Sequence, residues 1–141
     1  MGNSQGIQKI GFEDIQFVIN NKLHSSYIII STLQHSDETC LLPCTINSSQ
    51  EEEIVNKLMY QNKKINIIIY GKNSCDDTVV KRYYQLLNIG FYNVFVYQGG
   101  LFEWLILQDI YGSSEFQTTT KQVDILKYKP HKTFGVEMLK Y

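Results

Sequence analysis

The chain has no alanine, one arginine (Arg82), three cysteines and one tryptophan in 141 residues. Each shortage excludes something. Three cysteines is an odd number, and no secretory signal opens the chain, so reduced thiols in a cytoplasmic setting are expected rather than a disulfide framework. A formal net charge of −1 leaves no electrostatic footprint for nucleic acid. No apolar run approaches the ~20 residues that a membrane-spanning helix needs. At this length a single domain with a real core is expected, without room for a second of ordinary size. The missing alanine, set against abundant Ile, Asn, Lys, Tyr and Gln, is the bias of AT-rich coding and carries no chemistry.

What the chain does have is a patterned stretch at residues 65–100. Asn66 to Tyr70 is short, apolar and β-branched, as suits a strand buried on both faces of a parallel sheet. A polar loop follows at Gly71, Lys72, Asn73, Ser74, Cys75 and Asp76, and Asp77 is placed to cap a helix. The apolar positions Val79, Val80, Tyr83, Leu86 and Leu87 of that helix recur at helical spacing. Gly90 supplies the left-handed backbone beyond a helix end, and Val94 to Tyr97 reads as the next strand. Such a unit has parallel strands and a right-handed crossover. The 71–77 loop therefore sits at the carboxyl edge of the sheet, where open α/β folds place ligands.

These residues resemble the rhodanese-like domains. The resemblance rests on Ile67-Ile68-Ile69-Tyr70, the tight loop after it, Leu87-Asn88-Ile89-Gly90-Phe91-Tyr92-Asn93-Val94, and Gly99-Gly100-Leu101-Phe102-Glu103-Trp104. It implies an α/β fold with a mainly parallel, five-stranded sheet and helices on both faces. It also implies a nucleophilic cysteine as the first loop residue, and Gly71 stands there. An acidic residue that tends to close an earlier strand in the family is absent at Ser31 and Thr32. Cys75 lies in the same loop but beside Asp76 and Asp77, charges that repel an anionic sulfur donor. A related phosphatase reading needs Cys-x5-Arg. Counting from Cys75, that position is Lys81, and Arg82 comes one residue late; lysine lacks the bidentate grip of arginine on phosphate.

Elsewhere the features are weaker. Gly2 with small polar residues behind it resembles an N-myristoylation site, which would give at most weak membrane association. Phe12, Ile15, Val18 and Ile19 share a helical face, and residues 27–30 read as a strand. His35, Cys40 and Cys44 lack the paired spacing of a zinc site, and a loop with Leu41, Leu42 and Cys44 packed under the sheet edge is preferred. Pro43-Cys44-Thr45-Ile46-Asn47 loosely resembles the family's Pro-Gly-Ala-Ile-Asn turn, with Cys44 in the glycine's place. Ser48 or Ser49 is placed to cap the next helix, with Glu51, Glu52 and Glu53 against its positive end. The helix after Gly100 is apolar almost all round, so Phe102 and Trp104 belong to the core or, in the alternative, to a homodimer face. His24, His35 and His131 fall in three separate segments and assemble no triad.

The expectation is thus a rhodanese-like domain over residues 1–112 and a C-terminal extension over residues 113–141, packed on the domain or docking another protein. The leading function is a non-catalytic module that binds a protein partner or an anionic ligand at Gly71, Lys72, Asn73, Ser74, Cys75, Asp76 and Asp77. Lys72, Asn73 and Ser74 would present the contacts. The alternative is a thiosulfate or persulfide sulfurtransferase with Cys75 as a relocated nucleophile. No metal and no cofactor is expected.

Overall fold

The sheet is built from four short strands. In the computed structural model, residues 6–23 and 25–135 are described; Gly2, His24, Val136, Met138 and Leu139 lie outside them. The strands are β1 (Lys9–Ile10), β2 (Tyr27–Ser31), β3 (Asn66–Tyr70) and β4 (Val94–Tyr97). They pair in the order β1-β4-β3-β2, every pair parallel. The helices are α1 (Phe12–Asn20), α2 (Ser48–Gln61), α3 (Asp77–Asn88) and α4 (Gly100–Tyr111).

Because side chains alternate along a strand, β3 feeds two cores at once. Ile67 and Ile69 pack with Val55 of α2 and Val79, Tyr83 and Leu86 of α3. Ile68 and Tyr70 pack on the opposite face with Ile15 and Val18 of α1 and Leu101, Trp104 and Leu105 of α4. This is the helix-sheet-helix sandwich expected of a parallel sheet. Trp104 is wholly buried, edge-on to Tyr97 and Phe116, so it belongs to the core. The exposed apolar residues of α4 are Ile106, Ile110 and Tyr111.

The sheet has four strands where five were expected. The chain that could make a further strand beyond β2 enters through Cys44, at φ +68°, and leaves into the helix cap at Asn47. Only one parallel bridge fits between them, Ile29 to Thr45, with the Ile46 N–H donating to Ile29 O at 2.8 Å. Leu42 is buried as expected, but Cys44 is exposed, and Cys40 is the buried cysteine of this loop. A left-handed backbone costs an L-residue ~1–2 kcal/mol, and glycine's extra freedom in the unfolded chain returns ~0.5–1 of that. Cys44→Gly is therefore expected to stabilise the protein by about 0.5–1 kcal/mol, read as a higher urea midpoint at unchanged slope. A lower midpoint would show that the turn is unstrained.

Two caps also fall one residue from their expected places. Asn47, not Ser48 or Ser49, accepts from Ser49 N at 3.0 Å, and Asp76, not Asp77, accepts from Thr78 N at 3.1 Å. A cap must keep an extended backbone while its side chain reaches two residues on, and Asn47 (ψ 129°) and Asp76 (ψ 105°) do so. Glu51 meets the sole arginine, Arg82, at 2.8 Å, tying α2 to α3. Burial raises its carboxyl against the opposing pull of Arg82.

Beyond α4 the chain folds back over its starting face. Phe116 and Tyr128 are buried in the core of α1 and α4, and Trp104 Nε1 donates to Gln117 O at 2.8 Å. Thr119 N donates to Leu41 O and Thr120 Oγ1 to Thr39 O, at 2.9 and 2.7 Å. Asp124 leads into a 3-10 turn at Ile125–Tyr128.

Candidate ligand site at the carboxyl edge of the sheet

Where β3 ends, the backbone must turn at once toward α3, and it does so between two helix starts. Gly71 O accepts from Leu101 N at 2.9 Å and Lys72 O from Phe102 N at 2.8 Å, so the free amides of α4 hold the loop from below. Gly100 sits at φ +69°, and a Cβ there would lie 2.8 Å from Asn73 N and 2.9 Å from Gly71 O. The loop is thus moulded onto bare backbone.

On the α3 side the Asp76 carboxylate turns inward. Its Oδ2 accepts from Lys72 N at 3.0 Å and its Oδ1 from Thr78 N at 3.1 Å. Thr78 Oγ1 also donates to Thr32 Oγ1 at 2.8 Å. These groups close over Gly71. A Cβ at that position would meet Asp76 Oδ2 inside contact distance, Val79 Cγ2 at 2.6 Å and Thr32 Oγ1 at 2.8 Å. Amides that converge at a helix start attract an anion, and here the chain supplies its own.

Asn73 points inward as well. It is buried; its Nδ2 donates to Tyr128 O at 2.8 Å and its Oδ1 accepts from Cys75 N at 2.8 Å. It is therefore not one of the residues that could present a contact, as the sequence reading had it, because both ends of its amide are spent on the fold. Lys72 Nζ lies 3.3 Å from Asp37, which also meets Lys127 Nζ at 3.7 Å. Ser74 and Cys75 are exposed, and the polar neighbour of the Cys75 thiol is Ser74 Oγ at 4.0 Å.

A groove of about 460 Å³ runs beside the loop, lined by Lys72, Cys75 and Asp77 of the loop and by His131 and Thr133. Residues 71–77, singled out from sequence, form one continuous loop between β3 and the first turn of α3. Sequence reasoning missed Thr32, Asp37, Tyr128 and His131, whose approach depends on pairings between distant segments. Outside this groove, Tyr97 Oη donates to Glu103 at 2.6 Å; burial first, then this carboxylate, pushes the phenol well above its usual range. Burial likewise raises the Tyr70 phenol, which is anchored by Leu42 N and Thr45.

His35, Cys40 and Cys44 do not converge. The imidazole of His35 is exposed beside Glu38, Cys40 is buried against Thr120 O, and Cys44 faces out. Among the described residues no cluster of three His, Cys, Asp or Glu could hold a metal, and no helix is long and apolar enough to cross a membrane.

Residues 42–107 match the family model of the rhodanese-like domain. Among solved structures, the chain is similar to the thiosulfate sulfurtransferase of Pseudomonas aeruginosa, with 14% identity and a TM-score of 0.59. That match covers 86% of this chain and 23% of the other. It is also similar to the rhodanese-like domain of an Anabaena sp. protein, at 18% identity and a TM-score of 0.54, over 92% of this chain and 94% of that one. A third is the As-Sb reductase of Leishmania major, at 18% identity and a TM-score of 0.53, over 75% and 79% of the two chains. At these identities the likeness is one of fold. No curated protein sequence matches the chain.

Proposed function

The chain carries a rhodanese-like domain, of a family with both sulfurtransferases and non-catalytic members, and from that premise we propose that it is a non-catalytic module that docks a protein partner at the 71–77 loop. One observation carries this reading. The space above Gly71, where the resemblance puts a nucleophile, is filled by Asp76, Val79 and Thr32. The amides that would hold a thiolate or an oxyanion already hold a carboxylate. That supports the protein-partner version of the reading over the small-anion version, since a free anion would have to displace a tethered one. The exposed Ser74, Cys75 and Asp77, with half-buried Lys72, form the presenting edge.

The competing reading is sulfur transfer through Cys75, which attacks the outer sulfur of thiosulfate, releases sulfite and passes the persulfide sulfur to cyanide. Cys75 has exposure in its favour, yet no backbone N–H or cation is hydrogen-bonded to its sulfur among the described residues. The purified chain is expected to produce no thiocyanate above background. Gly71→Cys is expected to stay unmodified by intact mass after thiosulfate treatment, and to lose ~1–3 kcal/mol of stability through overpacking against Asp76 and Val79. Turnover by the parent that vanishes in Cys75→Ser would replace the binding reading with the enzymatic one.

A further inference from the structure

We propose that residues 124–133 are an intramolecular latch, which seats against the 71–77 loop and must lift before a partner can dock there. The inference rests on reading the loop as a docking site; the latch itself is argued from geometry and tested without a partner.

Three observations join the segment to the loop. Tyr128 is wholly buried, and its carbonyl takes the Asn73 amide that also fixes Cys75 N. Lys127 and Lys72 meet on one carboxylate, Asp37, so segment and loop share an ion-pair anchor. His131 and Thr133 line the same groove as Cys75. The segment thus shares with the loop the surface that a docking partner would use.

The seat is also incomplete. Tyr128 Oη is buried with no hydrogen-bond partner among the described residues, and such a hydroxyl recovers hydrogen bonds to water when it leaves. The segment has one 3-10 turn and no place in the sheet, so lifting it breaks few backbone bonds. Regions of that kind open locally, at a lower free energy than whole-molecule unfolding. Lifting would free the Nδ2 end of the Asn73 amide, which then no longer holds Oδ1 in place for Cys75 N, and would uncover the groove.

Native-state hydrogen exchange on the full chain, read amide by amide, tests this. The amides of Lys127 and Lys129, bonded to Asp124 O and Leu126 O, are expected to exchange about 100-fold faster than those of Ile67 to Ile69 in β3, with little dependence on dilute urea. The amide of Cys75 should open with them. Tyr128→Phe keeps the ring and removes the stranded hydroxyl, and is expected to slow this exchange several-fold. Exchange of Lys127 and Lys129 only together with β3, at the same urea dependence, would make the segment part of the cooperative core and end the proposal. Sulfur transfer by the parent chain would overturn the docking reading while leaving these rates as they are, so the two failures are distinguishable.

Discussion

Gly100→Ala is expected to lower the stability of the domain by about 3 kcal/mol. The residue sits at φ +69°, where an L-side chain costs ~1–2 kcal/mol. The new methyl would also lie 2.8 Å from Asn73 N, 2.9 Å from Gly71 O and 3.0 Å from Asn73 Cα. Those are main-chain atoms, so relief requires the loop to move as a body, at an overpacking cost of ~1–3 kcal/mol. A smaller backbone entropy in the unfolded chain returns only ~0.4–1 kcal/mol. For a chain of this size the sum corresponds to a melting temperature lower by roughly 10 °C. Gly6→Ala serves as the control: nothing lies within 4 Å of a Cβ there, and the change should stay within ~0.5 kcal/mol. A Gly100→Ala protein as stable as the parent would mean that the loop is not moulded on α4.

Why Gly100 matters could be read only in part from the sequence. A Gly-Gly pair after a strand signals a tight entry into a helix, and α4 does begin there. That the glycine faces the backbone of residues 71–73, nearly thirty positions earlier, leaves no local trace. The same division runs through the fold. The Ile67 to Ile69 strand, the α3 face and the stop at Gly90 follow from periodicity and glycine chemistry inside one segment. Val79, Tyr83 and Leu86 of that face are buried as expected, whereas Val80 is exposed. The fifth strand did not survive a left-handed residue and a helix cap placed three residues apart.

The loop shows the limit more sharply. Its position at the carboxyl edge follows from the strand-helix-strand order, but its chemistry turns on which way two polar side chains point. Asp76 and Asp77 are indistinguishable by composition. Only Asp76 has the extended backbone that lets its carboxylate reach back to Lys72 N and forward to Thr78 N. Asn73 looks like a surface contact in a polar loop. It becomes a buried strut because Tyr128 O arrives from 55 residues away.

Tyr128→Ala is expected to cost about 3–5 kcal/mol, the range for removing a buried aromatic ring from a core that cannot collapse onto the gap. The ring is wholly buried among residues from α1, α4 and β3, and its backbone carbonyl anchors Asn73. Tyr128→Phe should behave in the opposite sense. The hydroxyl it deletes is buried and bonds to no group among the described residues, so the deletion sacrifices none of their hydrogen bonds and removes a desolvation penalty of ~1–3 kcal/mol. Its stability should match or exceed that of the parent by up to about 1 kcal/mol in equilibrium urea unfolding. The pair separates packing from polarity at one position. Tyr128→Phe falling well below the parent would show that the hydroxyl is satisfied, which would remove the incomplete seat from the latch argument. A loss under ~1 kcal/mol in Tyr128→Ala would mean that residues 124–133 contribute little to the core on which the loop is built.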